Sequence, residues 1–335
     1  MISSRLPLLL EGHDLSGHDL SDPVPARVVV YSPTLDVDLS DLSDAHLQIV
    51  QGFKPDFDAF TARGFDTRVV AEGAFDLAIV AVPRSKAEAR ALIADAAARA
   101  TRVIVDGQKT DGIDSLLKDV RKRVEVAQVV SKAHGKAFAF SGGDFTDWAD
   151  PGALHLIDGF TTRLGVFSVD RIDKASQALL AALPEKLPSK IADLGAGWGY
   201  LSRHILDHPG VKLLHVVEAE AAALACAREN VTDPRAEFHW QDATKFTPPT
   251  KLDAVIMNPP FHTSRAADPG LGQAFIRAAA GMLSPQGQLW LVANRQLPYE
   301  ATLAEMFGTC QQIADTGGFK VLHAAKPLRM SGKTA

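Results

Sequence analysis

The sequence predicts an α/β protein built from two tandem domains, each a parallel sheet covered by helices. Three observations carry this prediction: the length of 335 residues, the alternation of strand-like and helix-like stretches, and a short similarity between the two halves. At roughly 100 to 200 residues per domain, the length favours two domains. A content of 46% hydrophobic and 22% charged residues excludes wholesale disorder.

The first half begins its alternation with ARVVVYSP, an apolar run that predicts a buried strand over 26–33. Alternating strands and helices are typical of a parallel sheet, because parallel strands need a crossover connection between them. The further predicted elements of this half are strand 66–72, strand 75–83, helix 85–100 and strand 102–107.

Residues 141–165 are rich in Gly and Asp and interrupt the periodicity, so we place the domain connection there. The predicted domains are 1–150 and 160–335. The second half then resumes the alternation with a helix, and its first strand begins at Ser189 and runs into a glycine turn. The predicted elements are helices 175–183, 201–208, 221–231 and 274–283, and strands 189–194, 212–220, 236–243, 252–260 and 287–294.

The two halves resemble each other around one strand. FDLAIVAVPRSK (75–86) aligns with LDAVIMNPPFHT (252–263) without a gap, and a helix and a strand follow in each half. The positions of Asn258 and Phe261 are Ala81 and Arg84 in the first half, which also lacks a glycine turn after its first strand. The first half is therefore predicted to be a degenerate copy of the second. Chance similarity between two buried strands is the alternative.

A glycine-rich turn in ADLGAGWG is the strongest local signal. Asp193 precedes Gly195 and Gly197 at the point where a predicted strand meets a helix. The dinucleotide fingerprint is G-x-G-x-x-G, whereas the spacing here is G-x-G-x-G after an acid. This pattern suits a cofactor with no phosphates and a positively charged amino group, such as S-adenosylmethionine. The alternative is an ordinary tight turn between a strand and a helix.

Two more acids end the next two predicted strands. Glu218 follows Asp193 by 25 residues, and a carboxylate there can accept hydrogen bonds from both hydroxyls of a ribose. Asp242 closes the following strand, where it can accept a hydrogen bond from an adenine amino group. The alternative for each is an exposed carboxylate at a strand end.

The fourth signal is Asn258-Pro259-Pro260-Phe261, directly after an apolar strand. The two prolines remove backbone donors, which leaves the Asn258 side-chain oxygen and a proline carbonyl as acceptors. Two acceptors on an exocyclic amine can localise its lone pair toward an incoming methyl group. Phe261 offers a face on which a planar ring can stack. An ordinary Pro-Pro loop is the alternative.

Composition limits the partners. The net charge is -5, and residues 1–150 carry 17 basic against 23 acidic residues, so any RNA contacts must be local, for example through Arg121-Lys122-Arg123. A solvated surface is the alternative for this basic run. Two cysteines give no disulfide framework or metal quartet, and no apolar run reaches the length of a membrane helix. We therefore expect a cytoplasmic protein with no membrane partner and no metal. His155, His204, His208 and His215 do not have the spacing of metal ligands in the sequence, and we expect them to be structural or surface residues.

These motifs resemble the class I S-adenosylmethionine-dependent methyltransferases, and more narrowly the bacterial 16S ribosomal RNA guanine-N2 methyltransferases. The resemblance rests on GVFS (165–168), ADLGAGWG, MNPPFH, VANRQLPYE and GGFKVLHA, and covers roughly 160–325. In that family two Rossmann-like methyltransferase domains are joined in tandem and only the second is active. The partner implied is ribosomal RNA or an assembled ribosomal subunit.

The resemblance also implies roles for individual residues. The implied cofactor-binding residues are Phe167, Asp193, Gly195, Gly197, Glu218 and Asp242, and the implied guanine-binding residues are Asn258, Pro259, Pro260 and Phe261. A 23S ribosomal RNA target shares the same motifs. Methylation of adenine N6 or of a protein glutamine amide, a nicotinamide-dependent oxidoreductase, and a non-catalytic RNA-binding scaffold are the further alternatives.

Overall fold

The computed structural model describes residues 5–10, 26–260 and 269–328, and the chain divides into two compact units between Gly152 and Ala153. Over these residues each unit contains one seven-stranded sheet flanked by helices, which confirms the predicted tandem α/β fold. None of the helices in these ranges is both long and apolar enough to cross a membrane.

The first unit is built on strand β1, whose sequence RVVVY is buried at four of its five positions. Val29 and Tyr31 pack in one apolar layer, and Val28 and Val30 pack in the layer on the opposite face. The elements are α1 Leu6–Leu10, β1 Arg27–Tyr31, β2 His46–Val50, α2 Lys54–Ala62, β3 Asp66–Arg68, β4 Phe75–Ala81, α3 Lys86–Arg99, β5 Ala100–Gln108, α4 Ile113–Val120, β6 Val126–Lys132 and β7 Gly135–Phe140.

The strand order of the first sheet is β3-β2-β1-β4-β5-β7-β6. The first five strands in this order are parallel, whereas β7 runs antiparallel to both β5 and β6. The β6–β7 hairpin turns through Ala133 and His134, whose φ angles are 50° and 58°. Two central residues with positive φ are typical of a type I′ turn. The sequence did not predict this hairpin, because Ala-His lacks the usual Asn-Gly signature.

The second unit repeats the plan after a short β8–β9 hairpin. Its central strand β10 is likewise covered on both faces by apolar side chains. The elements are β8 Leu154–His155, β9 Thr161–Thr162, α5 Lys174–Ala182, β10 Lys190–Leu194, α6 Tyr200–Leu206, β11 Leu213–Glu218, α7 Ala221–Asn230, β12 Ala236–Trp240, β13 Leu252–Met257, α8 Pro269–Met282, β14 Leu283–Asn294, α9 Tyr299–Met306, β15 Phe307–Thr316 and β16 Phe319–Pro327.

The second sheet has the order β12-β11-β10-β13-β14-β16-β15, which is the order of the first sheet strand for strand. Strands β4 and β13, which carry the similar sequences, occupy the same position in the two sheets. The final hairpin, β15–β16, turns at Gly317 and Gly318 with φ of 59° and 88°. The predicted internal repeat is therefore confirmed at the level of topology.

Strand register shows which residues take equivalent places in the two units. Ile79 and Ile256 are equivalent in the aligned strands, and they pair with Val30 and Asp193 respectively. Val30 of the first unit thus occupies the place of Asp193. The pairs Tyr31–Val50 and Leu194–Val217 are equivalent in the same way. The residue that follows Val50, Gln51, is therefore equivalent to Glu218, which follows Val217. The first unit has lost both carboxylates.

Candidate active site

The predicted site residues gather at one edge of the second sheet. Strands β10, β11, β12 and β13 are parallel neighbours, so their carboxyl ends meet at this edge. Asp193 is the penultimate residue of β10, Glu218 ends β11, and Asn258 directly follows β13. Asp242 lies two residues beyond β12. Ligands of open α/β sheets bind in the crevice outside such carboxyl ends.

The glycine turn between β10 and α6 adopts left-handed backbone conformations. Its φ angles are 73° at Gly195, 56° at Gly197 and 90° at Gly199. A Cβ atom on Gly197 would meet no atom of the described chain within 4 Å, whereas one on Gly199 would lie 3.0 Å from the Val231 side chain. Gly197 therefore borders open space that a ligand can occupy, and Gly199 permits close packing against α7.

Asp193 is a fully buried carboxylate beside this turn. Its Oδ2 accepts a hydrogen bond of 2.6 Å from the Ser202 hydroxyl, while its buried Oδ1 has no partner among the described residues. Burial raises the pKa of Asp193 to about 7, the Ser202 hydrogen bond opposes this rise, and the nearby Glu218 adds to it. Buried polar atoms rarely stay unpaired. A cationic amino group is a fitting partner for this oxygen.

Glu218 connects β11 to the glycine turn. Its Oε2 accepts a hydrogen bond of 2.7 Å from the Gly197 backbone N–H, and its Oε1 accepts one of 2.8 Å from Glu220. Burial raises the pKa of Glu218, and the backbone hydrogen bonds partly oppose that rise. An ionised carboxylate has about four acceptor positions. Capacity therefore remains for the two hydroxyls of a ribose.

Asp242 organises the turn that follows β12. Its Oδ1 accepts hydrogen bonds from the Thr244 backbone N–H at 2.9 Å and from the Thr244 hydroxyl at 2.6 Å. Its Oδ2 lies 3.6 Å from the Lys245 ammonium. An adenine amino group would therefore meet Oδ2, since Oδ1 already has two donors.

Asn258 is held by the N-terminus of α5. Its Nδ2 donates hydrogen bonds of 2.9 Å to the Asp173 carboxylate and 2.9 Å to the Ser176 hydroxyl. Asp173 also caps α5 by accepting the Ser176 backbone N–H at 2.8 Å. Asp173 and Ser176 could not be predicted as site residues from the sequence. The spacing of an Asp three residues before a Ser indicates a helix cap, but it gives no sign of a contact with Asn258.

One cavity of the second unit brings several predicted residues together. Its lining includes Phe167, Gly195, Gly197 and Asn258, with the newly identified Asp173 and Ser176. Asp193, Glu218 and Asp242 are not among the described residues that line it.

Phe167 is 62% exposed, and its backbone carbonyl accepts a hydrogen bond of 3.0 Å from the Trp198 indole. Pro259 is buried and Pro260 is exposed, with its Cδ 3.8 Å from the place of a Cβ on Gly195. The Pro-Pro turn therefore packs beside the glycine turn. Phe261 lies outside the described residues.

Asn230 is a third residue near the site that could not be predicted from the sequence. This last residue of α7 donates from Nδ2 to the Trp198 carbonyl at 2.7 Å and to the Thr161 carbonyl at 2.8 Å. Its Oδ1 accepts the Thr161 backbone N–H at 2.7 Å. One side chain thus fixes the glycine turn to the β8–β9 hairpin.

The structure gathers three possible metal ligands that are apart in sequence. His215 Nδ1 lies 3.0 Å from His239 Nε2 and 3.3 Å from the Glu237 carboxylate. Burial lowers the pKa of both imidazoles, and the three groups can satisfy one another by hydrogen bonding. None of the predicted site residues belongs to this group, so the expectation of a metal-free site stays a prediction.

The basic run of the first unit is partly engaged within the protein. Arg123 makes a bidentate ion pair with Asp147 at 2.6 and 2.7 Å and lies 4.6 Å from the Trp148 ring centre. Lys122 lies 3.2 Å from Asp119 and is otherwise exposed. A phosphate contact by this run stays a prediction, and Arg123 would have to exchange its ion pair with Asp147 to make one.

Comparison with known proteins shows similarity over both units. The methyltransferase small domain family model matches residues 159–323. The chain is 31% identical over 278 residues to the ribosomal RNA small subunit methyltransferase C of Shewanella pealeana, an alignment that covers 78% of this chain and 81% of that protein. It is 34% identical over 173 residues to the ribosomal RNA large subunit methyltransferase G of Shewanella amazonensis, covering 50% of this chain and only 45% of that protein.

A solved structure is similar along almost the whole chain. It is the Thermus thermophilus 16S rRNA N2 G1207 methyltransferase in complex with AdoMet and guanosine. The TM-score is 0.76 at 25% sequence identity, with 91% of this chain and 89% of that chain covered. The similarity therefore includes the first unit as well as the second.

Proposed function

Because the chain belongs to the small-subunit ribosomal RNA methyltransferase C family, we propose that it methylates the exocyclic N2 amine of a guanine in 16S ribosomal RNA. It is an S-adenosylmethionine-dependent enzyme, and its substrate is ribosomal RNA, free or within a ribosomal subunit. The observation that carries the proposal is the Asn258 side chain, which turns its amide nitrogen toward Asp173 and keeps its oxygen for the target amine.

S-adenosylmethionine supplies an electrophilic methyl group when it is bound. The unpartnered Asp193 Oδ1 fits its amino group, and Glu218 fits its ribose hydroxyls. The open space beside Gly197 gives room for close approach of the backbone to the ligand. Asp242 is assigned to the adenine, through the oxygen that Thr244 leaves available. Phe167 is assigned to the mouth of the site because this exposed residue lines the same cavity as Gly195 and Gly197.

The target guanine has to leave its stack to reach the Asn258 turn, at a cost of a few kcal/mol. The Asn258 oxygen and a carbonyl of the Pro-Pro turn then accept hydrogen bonds from the two N2 protons. Those bonds orient the nitrogen lone pair toward the methyl group. Phe261 is assigned to stacking on the base, as the sequence predicts. Acceleration by these residues comes from positioning, without a covalent intermediate.

The experiment is incubation of the purified protein with isotope-labelled S-adenosylmethionine and either 16S RNA, 23S RNA or assembled small subunits, taken from cells that lack this enzyme. Mass spectrometry of the nucleosides should show labelled N2-methylguanosine from the small-subunit substrates. Gly197→Val, which fills the open space, is the inactive control. Labelled N6-methyladenosine, or label in ribosomal protein, would contradict the assignment.

A 23S target is the second candidate, because the relative with 34% identity is a large-subunit methyltransferase. That similarity covers half of the chain, whereas similarity to the small-subunit enzymes extends over both units. The same experiment separates the two, since each ribosomal RNA is supplied alone.

A further inference from the structure

The amide of Asn258 can be placed in two orientations that differ by exchange of its oxygen and nitrogen. In the structure Nδ2 faces the Asp173 carboxylate and the Ser176 hydroxyl, each at 2.9 Å. An ionised carboxylate only accepts hydrogen bonds, so the opposite orientation would bring two acceptors together. Asp173 therefore selects one of the two orientations.

The orientation of the Asn258 amide determines which of its atoms faces the cavity. With Nδ2 engaged, Oδ1 is the part of the amide that remains for a ligand in the cavity that Asn258, Asp173 and Ser176 line together. An exocyclic amine is a donor and pairs with this oxygen. The reversed amide would present an NH₂ group to the amine, and two donors would face each other.

We infer that Asp173 is a positioning residue for methyl transfer, which acts through Asn258 by fixing its amide oxygen toward the target amine. This inference rests on the proposed function of the site. The Asp173 carboxylate also polarises the amide, because a charge-assisted hydrogen bond at Nδ2 moves electron density toward Oδ1. Ser176 strengthens the arrangement, since its backbone N–H binds Asp173 and its hydroxyl accepts from Asn258.

The position of Asp173 at the start of α5 restricts the movement of its carboxylate. Its Oδ2 receives both the Ser176 backbone N–H and the Asn258 amide, so the helix terminus and the target-binding turn share one acceptor. The two elements are 85 residues apart in sequence. The carboxylate thereby links the segment that follows GVFS to the Asn-Pro-Pro turn.

The experiment compares three substitutions in the full chain. Asp173→Ala is expected to lower kcat about 100-fold, the effect of a misplaced reacting group. Asp173→Asn retains an acceptor for the cap but loses the charge, and is expected to lower kcat about tenfold. Asp173→Ser keeps a capping hydroxyl without the reach to Asn258, and should resemble the alanine variant in rate while its melting temperature stays near that of the wild type. KM for RNA and the Kd for the cofactor should change less than threefold or so in all three.

A double-mutant cycle separates positioning from a general loss of structure. If Asp173 acts through Asn258, the Asn258→Ala/Asp173→Ala variant is as slow as Asn258→Ala alone. Multiplied losses would overturn the inference. Ser85→Ala removes the hydrogen-bonding cap of α3 in the other unit, and as the matched capping control it should keep full activity.

A measurement without substrate keeps the inference independent of the proposed function. Hydrogen exchange of the Asn258 side-chain amide, followed by NMR, should be slow in the wild type and at least about tenfold faster in Asp173→Ala. Equal exchange rates, or a fully active Asp173→Ala enzyme, would overturn the positioning role. A wild-type protein that forms no N2-methylguanosine but shows the expected exchange difference would instead overturn the proposed function and leave the orientation of the amide established.

Discussion

At the scale of single residues, the site divides into groups that face the cofactor and groups that face the target amine. Asn258 belongs to the second class. We expect Asn258→Ala to lower kcat by at least about 100-fold, because an acceptor for the amine is lost during transfer. The Kd for S-adenosylmethionine, measured by calorimetry, should stay within a few-fold of the wild type. A variant with near-normal kcat would remove Asn258 from the mechanism.

Asp193 gives a prediction that depends on pH. Its pKa of about 7 lies above the value of an unfolded aspartate, so this carboxyl destabilises the fold progressively as pH rises from about 4 to 7. Asp193→Asn keeps an acceptor for Ser202 and cannot ionise. We expect this variant to melt at a higher temperature than the wild type at pH 8 without cofactor, with the difference disappearing near pH 4.

The same substitution should weaken cofactor binding, because the amino group loses its anionic partner. In the wild type, affinity should fall as the pH is lowered from about 7 to 5.5, since the carboxyl has to release a proton on binding. Calorimetric titrations at several pH values test this for the wild type and for Asp193→Asn. A pH dependence that persists unchanged in Asp193→Asn would assign it to another group.

The residues of the site were predictable to different degrees. Asp193, Glu218 and Asn258 could be identified because chemistry in a parallel sheet collects at strand ends, and strands are visible as apolar runs. Asp173 and Asn230 were missed, because each resembles an ordinary polar residue at a helix end. Their partners are 85 and 69 residues away, and only the folded chain brings them together.

At the scale of elements, the glycine turn separates ligand binding from packing. Gly197→Val should abolish S-adenosylmethionine binding, because the new side chain enters the open space beside the turn. The positive φ at this position strains any branched side chain, so the variant should also melt at a lower temperature than the wild type. Gly199→Ala should instead reduce stability by roughly 1–3 kcal/mol, since its Cβ would press against Val231 and Ala227. Thermal denaturation and calorimetry on both variants measure the two effects. Unchanged cofactor affinity in Gly197→Val would contradict the assignment of the turn.

The elements that the sequence predicted are those with a strong apolar period. Strands β1, β4, β10 and β13 are short buried runs, and each was located within a few residues. The hairpins β6–β7 and β15–β16 were not predicted. Strand β6 alternates between half-buried and exposed positions, and most residues of β15 are exposed, so neither is a buried apolar run. Each pairs with a more buried strand, β7 or β16.

At the scale of the whole molecule, the equivalence of the two sheets predicts the binding stoichiometry. Val30, Gln51 and Ala81 stand where the second unit has Asp193, Glu218 and Asn258. We expect one S-adenosylmethionine per chain by calorimetry. Gly197→Val should remove this single event, and any saturable binding left in that variant would show that the first unit retains a pocket.

We propose that the first unit has another task, either in support of the second unit or in recognition of the ribosomal substrate. Expression of residues 153–335 alone distinguishes these roles. An insoluble fragment favours support, and a folded fragment that binds cofactor without methylating the ribosomal substrate favours recognition. A fragment as active as the full chain would exclude both.

Val30 and Asp193 occupy equivalent positions in the two sheets, and the two positions should tolerate different substitutions. Saturation mutagenesis under selection for soluble expression alone should favour neutral residues at Asp193, since a buried carboxylate opposes folding there, and should deplete carboxylates at Val30. Selection for methylation should reverse the outcome at Asp193 and leave Val30 unchanged. The same sheet position therefore occurs twice in one polypeptide, once with the residue that folding favours and once with the residue that methylation requires.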